Sequence, residues 1–223
     1  MLALLLAAVI PLDAMTETNR VLVRAVTEHV TLQREYAARQ FKGRVPEFEW
    51  LLDHLDACSV LAEKTGLLKY RATRQADGRY YADNREGAAG FILPVLATTG
   101  QRVYYVEGRE RGLFSVAGRG VAAITYGQTE TNVVEYTGVS LVRVDNGFVA
   151  TLAKLFAVFL RGTVDYHYDH VMAHPIQLTE RALKEPAVLV GQMEQMPKDD
   201  RELLRAFELL LRPIGFDSTA SGR

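Results

Sequence analysis

The sequence predicts an α+β fold: N-terminal helices, then an antiparallel six-stranded β-meander, then a long C-terminal helix on which the sheet wraps. Three observations predict it. Asp77-Gly78 sits between two β-prone runs, the strongest short hairpin signal. Two further pairs of alternating segments follow as far as Val144, joined by connections too short for anything but antiparallel neighbours. From Phe148 the apolar spacing becomes helical and runs on to Pro175.

Before the sheet, Val23, Val26 and Val30 stand near helical spacing. They predict a helix over residues 16–41 whose end passes into a strand near residues 39–45. Pro46-Glu47 then opens a second helix, since proline and an acidic side chain both suit a first turn. Phe48, Leu51, Leu52, Leu55, Cys58 and Leu61 carry it to a stop at Gly66. The strands are expected at residues 69–75, 79–84, 89–97, 102–108, 117–126 and 133–144. Pro94 inside the third implies an edge or a bulge there.

After the sheet, Pro175 predicts the stop or kink of the long helix. A further helical stretch reaches Met196, Pro197 breaks it, and a last amphipathic helix carries Leu203, Leu204, Phe207, Leu210 and Leu211. No linker divides two cores, so residues 15–214 read as one domain, with a disordered tail over 215–223.

The chain has 223 residues, 48% of them hydrophobic, enough to bury a sizeable core without disulfides. Its 26 basic and 27 acidic residues, with no basic run, argue against nucleic acid as a partner. Residues 1–10 are apolar, too few to span a bilayer, and no later segment is long enough for a transmembrane span. With Leu12-Asp13-Ala14 they fit a signal peptide over residues 1–14 and an exported, periplasmic protein, although the basic n-region is missing. An upstream start, or a start at Met15 and a cytoplasmic protein, are the alternatives.

The order of these elements resembles the START-like, or SRPBCC, helix-grip family over residues 39–175. The resemblance rests on topology and spacing, since no motif carries it. It implies an apolar cavity between sheet and last helix, and hence a hydrophobic small molecule or lipid as partner, with no cofactor.

The most distinctive stretch is Asp165-Tyr166-His167-Tyr168-Asp169-His170, with His174 four residues on; three of the five histidines fall here. At about 100° per residue, His167, His170 and His174 lie within about 60° of one another on a helix. The same face carries Leu152, Leu155, Phe156, Phe159 and Thr163. An apolar stripe that turns polar is what a ligand pocket with a few convergent polar groups requires, so these eight residues are the candidate ligand-binding set. The plainer reading is that histidines near a helix C-terminus simply suit the dipole. A metal between them is disfavoured by Pro175 and by the lack of an intervening Glu.

Other candidates are weaker. Cys58 follows His54 by four residues but continues the apolar face of Leu51 and Leu55, which marks a buried structural thiol. Gly118-Arg119-Gly120 mimics a dinucleotide fingerprint, yet a β-prone run follows where a helix is needed. Among Tyr80, Tyr81, Tyr104, Tyr105, Tyr126 and Tyr136, adjacent pairs must point to opposite faces, so only some reach the concave side. Arg79, Arg102, Glu107 and Arg109 read as the solvated face. Three functions stay open: an exported carrier of a hydrophobic ligand, an enzyme of cyclase or hydrolase type using His167 and His170, and an interaction protein with a filled core.

Overall fold

The computed structural model describes residues 10–67, 71–85, 87–111, 115–145 and 157–212. The expected six-strand meander is there: β2 (Arg71–Arg74), β3 (Tyr80–Asp83), β4 (Ala88–Thr98), β5 (Gln101–Arg111), β6 (Ser115–Glu130) and β7 (Val133–Val144). A seventh strand, β1 (Leu32–Lys42), pairs antiparallel with β7, so the sheet runs β1-β7-β6-β5-β4-β3-β2.

That strand corrects the N-terminal reading. The first helix, α1, ends at Thr27 (Glu17–Thr27) rather than near Phe41. Residues 32–42 are extended, with Leu32, Tyr36 and Phe41 buried and a register shift between Tyr36 and Arg39. A spacing of four is common to a helix face and a strand face. The bulge then moves Phe41 back inward at a spacing of five.

The second helix is also two. α2 (Val45–Asp53) and α3 (Leu55–Lys64) break at His54, which has φ −126° and ψ 68°. The last carbonyls of a helix lack intrahelical partners. Here Tyr104 donates to the Leu52 carbonyl at 2.9 Å and Tyr80 donates to that of Asp53 at 2.8 Å. The break thus leaves two acceptors where the sheet supplies two hydroxyls.

β4 carries the expected bulge, between Pro94 and Leu96. β3 pairs with β4 only as far as Ile92, so the proline's missing N–H falls where no neighbour needs it. The hairpin turn between β4 and β5 uses Gly100 at φ 77°.

The long C-terminal helix, α4 (Ala157–Lys184), continues past Pro175, so of the expected stop or kink the stop does not occur. An internal proline costs about 3 kcal/mol. Tyr168, Met172, Leu178 and Ala182 are all buried on either side of it. Each large apolar side chain buried is worth about 1.5–3 kcal/mol, so burial outweighs the defect. α5 (Pro186–Glu194) and α6 (Lys198–Leu211) complete the chain that is described. Leu204, Phe207 and Leu211 of α6, together with Leu178 and Leu189, pack on Leu51, Cys58 and Leu61 of α2 and α3 in one helical core.

The two faces of the sheet are covered differently. Val103, Tyr105, Val121, Ala123, Val139 and Leu141 point to the convex face, where Ile10, Met15, Val23 and Val26 close over them. A short 3-10 turn (Leu12–Ala14) leads into α1, and Arg20 ties it down by donating to the carbonyls of Leu12 and Met15. The concave face receives α2 and α4.

Candidate functional site

Strand register places the concave side chains in rows. At the α2 end, Tyr126 pairs with Tyr136 and Val134 with Phe41, and Phe48 of α2 packs edge-on against Tyr126 with ring centroids 5.3 Å apart. All five of these rings and aliphatic chains are buried. Polar groups on the same end are paired. Arg102, read from sequence as solvated, is 6% exposed and donates to both carboxylate oxygens of Asp53 at 2.6 and 2.8 Å. It sits on the inward side of β5, and a buried guanidinium is tolerable only with such partners. Tyr126 donates to Glu49 at 2.8 Å. Burial raises the phenol pKa of Tyr104 well above its ordinary value, and that of Tyr80 and Tyr126 as well.

Two strand positions further along, the rows change character. Pro94, Tyr104, Ala122, Ser140 and Arg34 stand side by side across five strands. The next row is Tyr80, Ile92, Val106, Gly120, Val142 and Leu32, and beyond it lie Ala82, Gly90, Gly108 and Gly118. Ile92, Pro94, Val106, Ala122 and Val142 are only half-buried, while their neighbours Val103, Val121 and Leu141 on the convex face are fully buried. This is an apolar floor with small side chains and accessible surface.

β1 forms one wall, and α4 is fastened to it by three contacts. Arg34 donates to both oxygens of Asp165 at 2.8 and 2.6 Å. Arg39 donates to Asp169 at 2.8 Å. Between them Tyr168 stacks on Tyr36, ring centroids 3.5 Å apart and planes within 4°. A Cβ at position 138 would overlap the Tyr168 hydroxyl, so Gly138 is what lets that ring lie on β7. Tyr36 is 7% exposed, and burial pushes its hydroxyl up to about 12. Ser140 and Asp165 are its polar neighbours, yet the hydroxyl makes no well-formed hydrogen bond.

The acid-and-tyrosine half of the distinctive hexapeptide therefore holds the helix, a role the sequence reading did not assign to Asp165, Tyr168 and Asp169. His174 is buried, 3% exposed. Phe159, Thr163, His167 and His170 lie on α4, but their side chains fall outside what is described, and Leu152, Leu155 and Phe156 lie outside the described residues altogether. Sequence reasoning missed Arg34, Tyr36 and Ser140. The signal available was the alternation Leu32, Arg34, Tyr36. Among the described residues, no group of three or more His, Cys, Asp or Glu side chains is placed to hold a metal ion. Cys58 is 1% exposed and its thiol is pushed up to about 12 by burial, which makes it inert. No described helix is long and apolar enough to cross a membrane.

No family model matches the chain, and no curated protein does. Solved structures do. A conserved protein from Geobacillus kaustophilus superposes with a TM-score of 0.51 at 14% identity, covering 68% of this chain and 97% of that one. A START superfamily protein from Mycobacterium smegmatis gives 0.44 at 10%, covering 66% and 99%. Truncated norcoclaurine synthase from Thalictrum flavum gives 0.42 at 11%, covering 63% and 91%. At such identities the likeness concerns the fold. The strand order, the two helices between β1 and β2 and the long helix after β7 are the helix-grip arrangement of elements expected from the sequence, and the Geobacillus protein shares this fold.

Proposed function

We propose that the chain binds a hydrophobic small molecule or lipid on the concave face, between the sheet and α4. One observation carries this reading. Ile92, Pro94, Val106, Ala122 and Val142 form a continuous apolar floor that is half-buried, on a sheet whose other face is covered at its centre, over Val103, Val121 and Leu141, by α1 and the segment before it. Accessible apolar surface beside a few polar groups is what small-molecule sites are made of. The polar groups are those on β1 and β7, and the candidate face of α4 with Phe159, Thr163, His167 and His170 would supply the opposite wall.

Native mass spectrometry of the gently purified protein tests the reading. A co-purifying apolar molecule that leaves on mild activation is expected. A homogeneous apo mass, with no uptake of added lipid, would count against it. Export belongs to the same proposal and is supported by the apolar run before Pro11. N-terminal sequencing from the native host decides it, and an intact Met1 would exclude cleavage. Ile10 and Leu12 belong to the convex-face core, so cleavage after Ala14 would remove part of that core.

A further inference from the structure

The wall of the apolar floor at β1 carries an arrangement whose chemistry is more specific than hydrophobic binding. Arg34 and Ser140 are register partners across β1 and β7, and Tyr36 is the next inward residue on β1. Ser140 is 8% exposed and Tyr36 7%, so neither hydroxyl is freely hydrated. The Tyr36 hydroxyl lies beside Ser140 and Asp165 but makes no hydrogen bond of good geometry. A buried hydroxyl without a partner costs free energy, and native structures rarely keep one idle. In the same row Ser140 is followed by Ala122, Tyr104 and Pro94, so the polar wall continues directly into the apolar floor.

We propose that Tyr36 and Ser140, beside the Arg34–Asp165 pair, form a hydrogen-bonding station that receives an uncharged oxygen, a hydroxyl or a carbonyl, at one end of an otherwise apolar ligand. The proposal rests on the ligand-binding reading above and narrows it.

Charge decides against the alternatives. The Arg34 guanidinium already holds both oxygens of Asp165, so its charge is already matched by a carboxylate. An anionic head would have to displace that carboxylate and leave it half-buried without its cation, which is unfavourable. A cationic head would meet Arg34 at close range. Burial keeps Tyr36 neutral up to about pH 12, so it can donate to a carbonyl or accept from a hydroxyl throughout the working range. A plain hydrocarbon would fill the floor but leave the hydroxyl unsatisfied. Sites built to hydrogen-bond a ligand reject analogues that lack the group.

Three probes of one ring size separate these cases: naphthalene, 2-naphthol and naphthalene-2-carboxylate, titrated at neutral pH by naphthyl fluorescence. Wild type is expected to bind 2-naphthol about tenfold more tightly than naphthalene, the worth of one good buried hydrogen bond, and the carboxylate most weakly. Tyr36→Phe keeps the ring that stacks on Tyr168 and removes the hydroxyl. It should bring the naphthol-to-naphthalene ratio close to one. Ser140→Ala should lower the ratio in the same direction.

Equal affinity of wild type for naphthalene and 2-naphthol would overturn the station and leave the hydrophobic site standing. So would tightest binding of the carboxylate, or an unchanged ratio in both variants. If wild type takes up neither naphthalene nor 2-naphthol, the ligand-binding reading itself fails, and the station with it.

Discussion

The two ends of the concave face are built from the same strands and do opposite things. Toward α2, the inward residues are Tyr126, Tyr136, Phe41 and Arg102, all buried and packed against Phe48 or bonded to Glu49 and Asp53. Toward the other end they are Val106, Ala122, Val142 and a group of glycines, all half-buried. A sheet that curls around a helix cannot be filled by small side chains and cannot leave a site where large ones stand. Side-chain volume along each strand decides which end is packed core and which keeps accessible apolar surface.

Mutations should report that difference directly. The largest loss is expected from Phe48→Ala, which is fully buried at the packed end. It should cost about 4 kcal/mol, transfer energy plus cavity, in urea unfolding. Asp53→Ala leaves the buried Arg102 with Glu49 at 3.7 Å as its remaining carboxylate. It should cost about 3 kcal/mol, the low end for a broken buried pair because Asp53 itself is partly exposed. Tyr104→Phe strips the Leu52 carbonyl of its donor and should cost about 1–2 kcal/mol. Ile92→Ala, at the open end, should cost about 1 kcal/mol, because the side chain is only half removed from water where it packs on the core. A loss at Ile92 as large as that at Phe48 would erase the distinction between the two ends.

Alkaline pH sharpens the same comparison. Tyr80, Tyr104 and Tyr126 at the packed end, and Tyr36 and Tyr168 on the β1 wall, all have phenol pKa values raised by burial above the ordinary 10.0. A raised folded-state value means the unfolded chain loses these protons first. The stabilisation is therefore complete below pH 10 and is lost as pH rises from there through the folded-state values, reached at about 12 for Tyr36. Urea midpoints should hold up to about pH 10 and fall above it, and Tyr104→Phe should flatten that fall.

Much of this architecture was legible before any coordinates. Asp77-Gly78 marked its hairpin because few residues adopt the backbone that turn needs, and Pro94 marked its bulge because it lacks a donor. The helical reading extends into residues 32–38, with a strand expected only near 39–45, because Val23, Val26 and Val30 set a helical spacing and helix-forming Arg, Glu, Ala and Gln follow. Only pairing with β7 makes that segment a strand. The site was harder. Histidines drew the eye in residues 165–170, while Asp165 and Asp169 engage Arg34 and Arg39 from 131 and 130 residues away. A contact between two separated segments leaves no periodic trace in either.

The central claim is that the floor around Val106 is a site and not core, and Val106→Trp tests it most directly. Tryptophan there should fill the space: naphthalene binding should be lost while the melting temperature stays within a few degrees of wild type. If the floor is already packed, overfilling costs about 1–3 kcal/mol and the melting temperature falls by roughly 2–10 °C. A clear fall of that kind, or naphthalene binding that survives the substitution unchanged, would contradict the account.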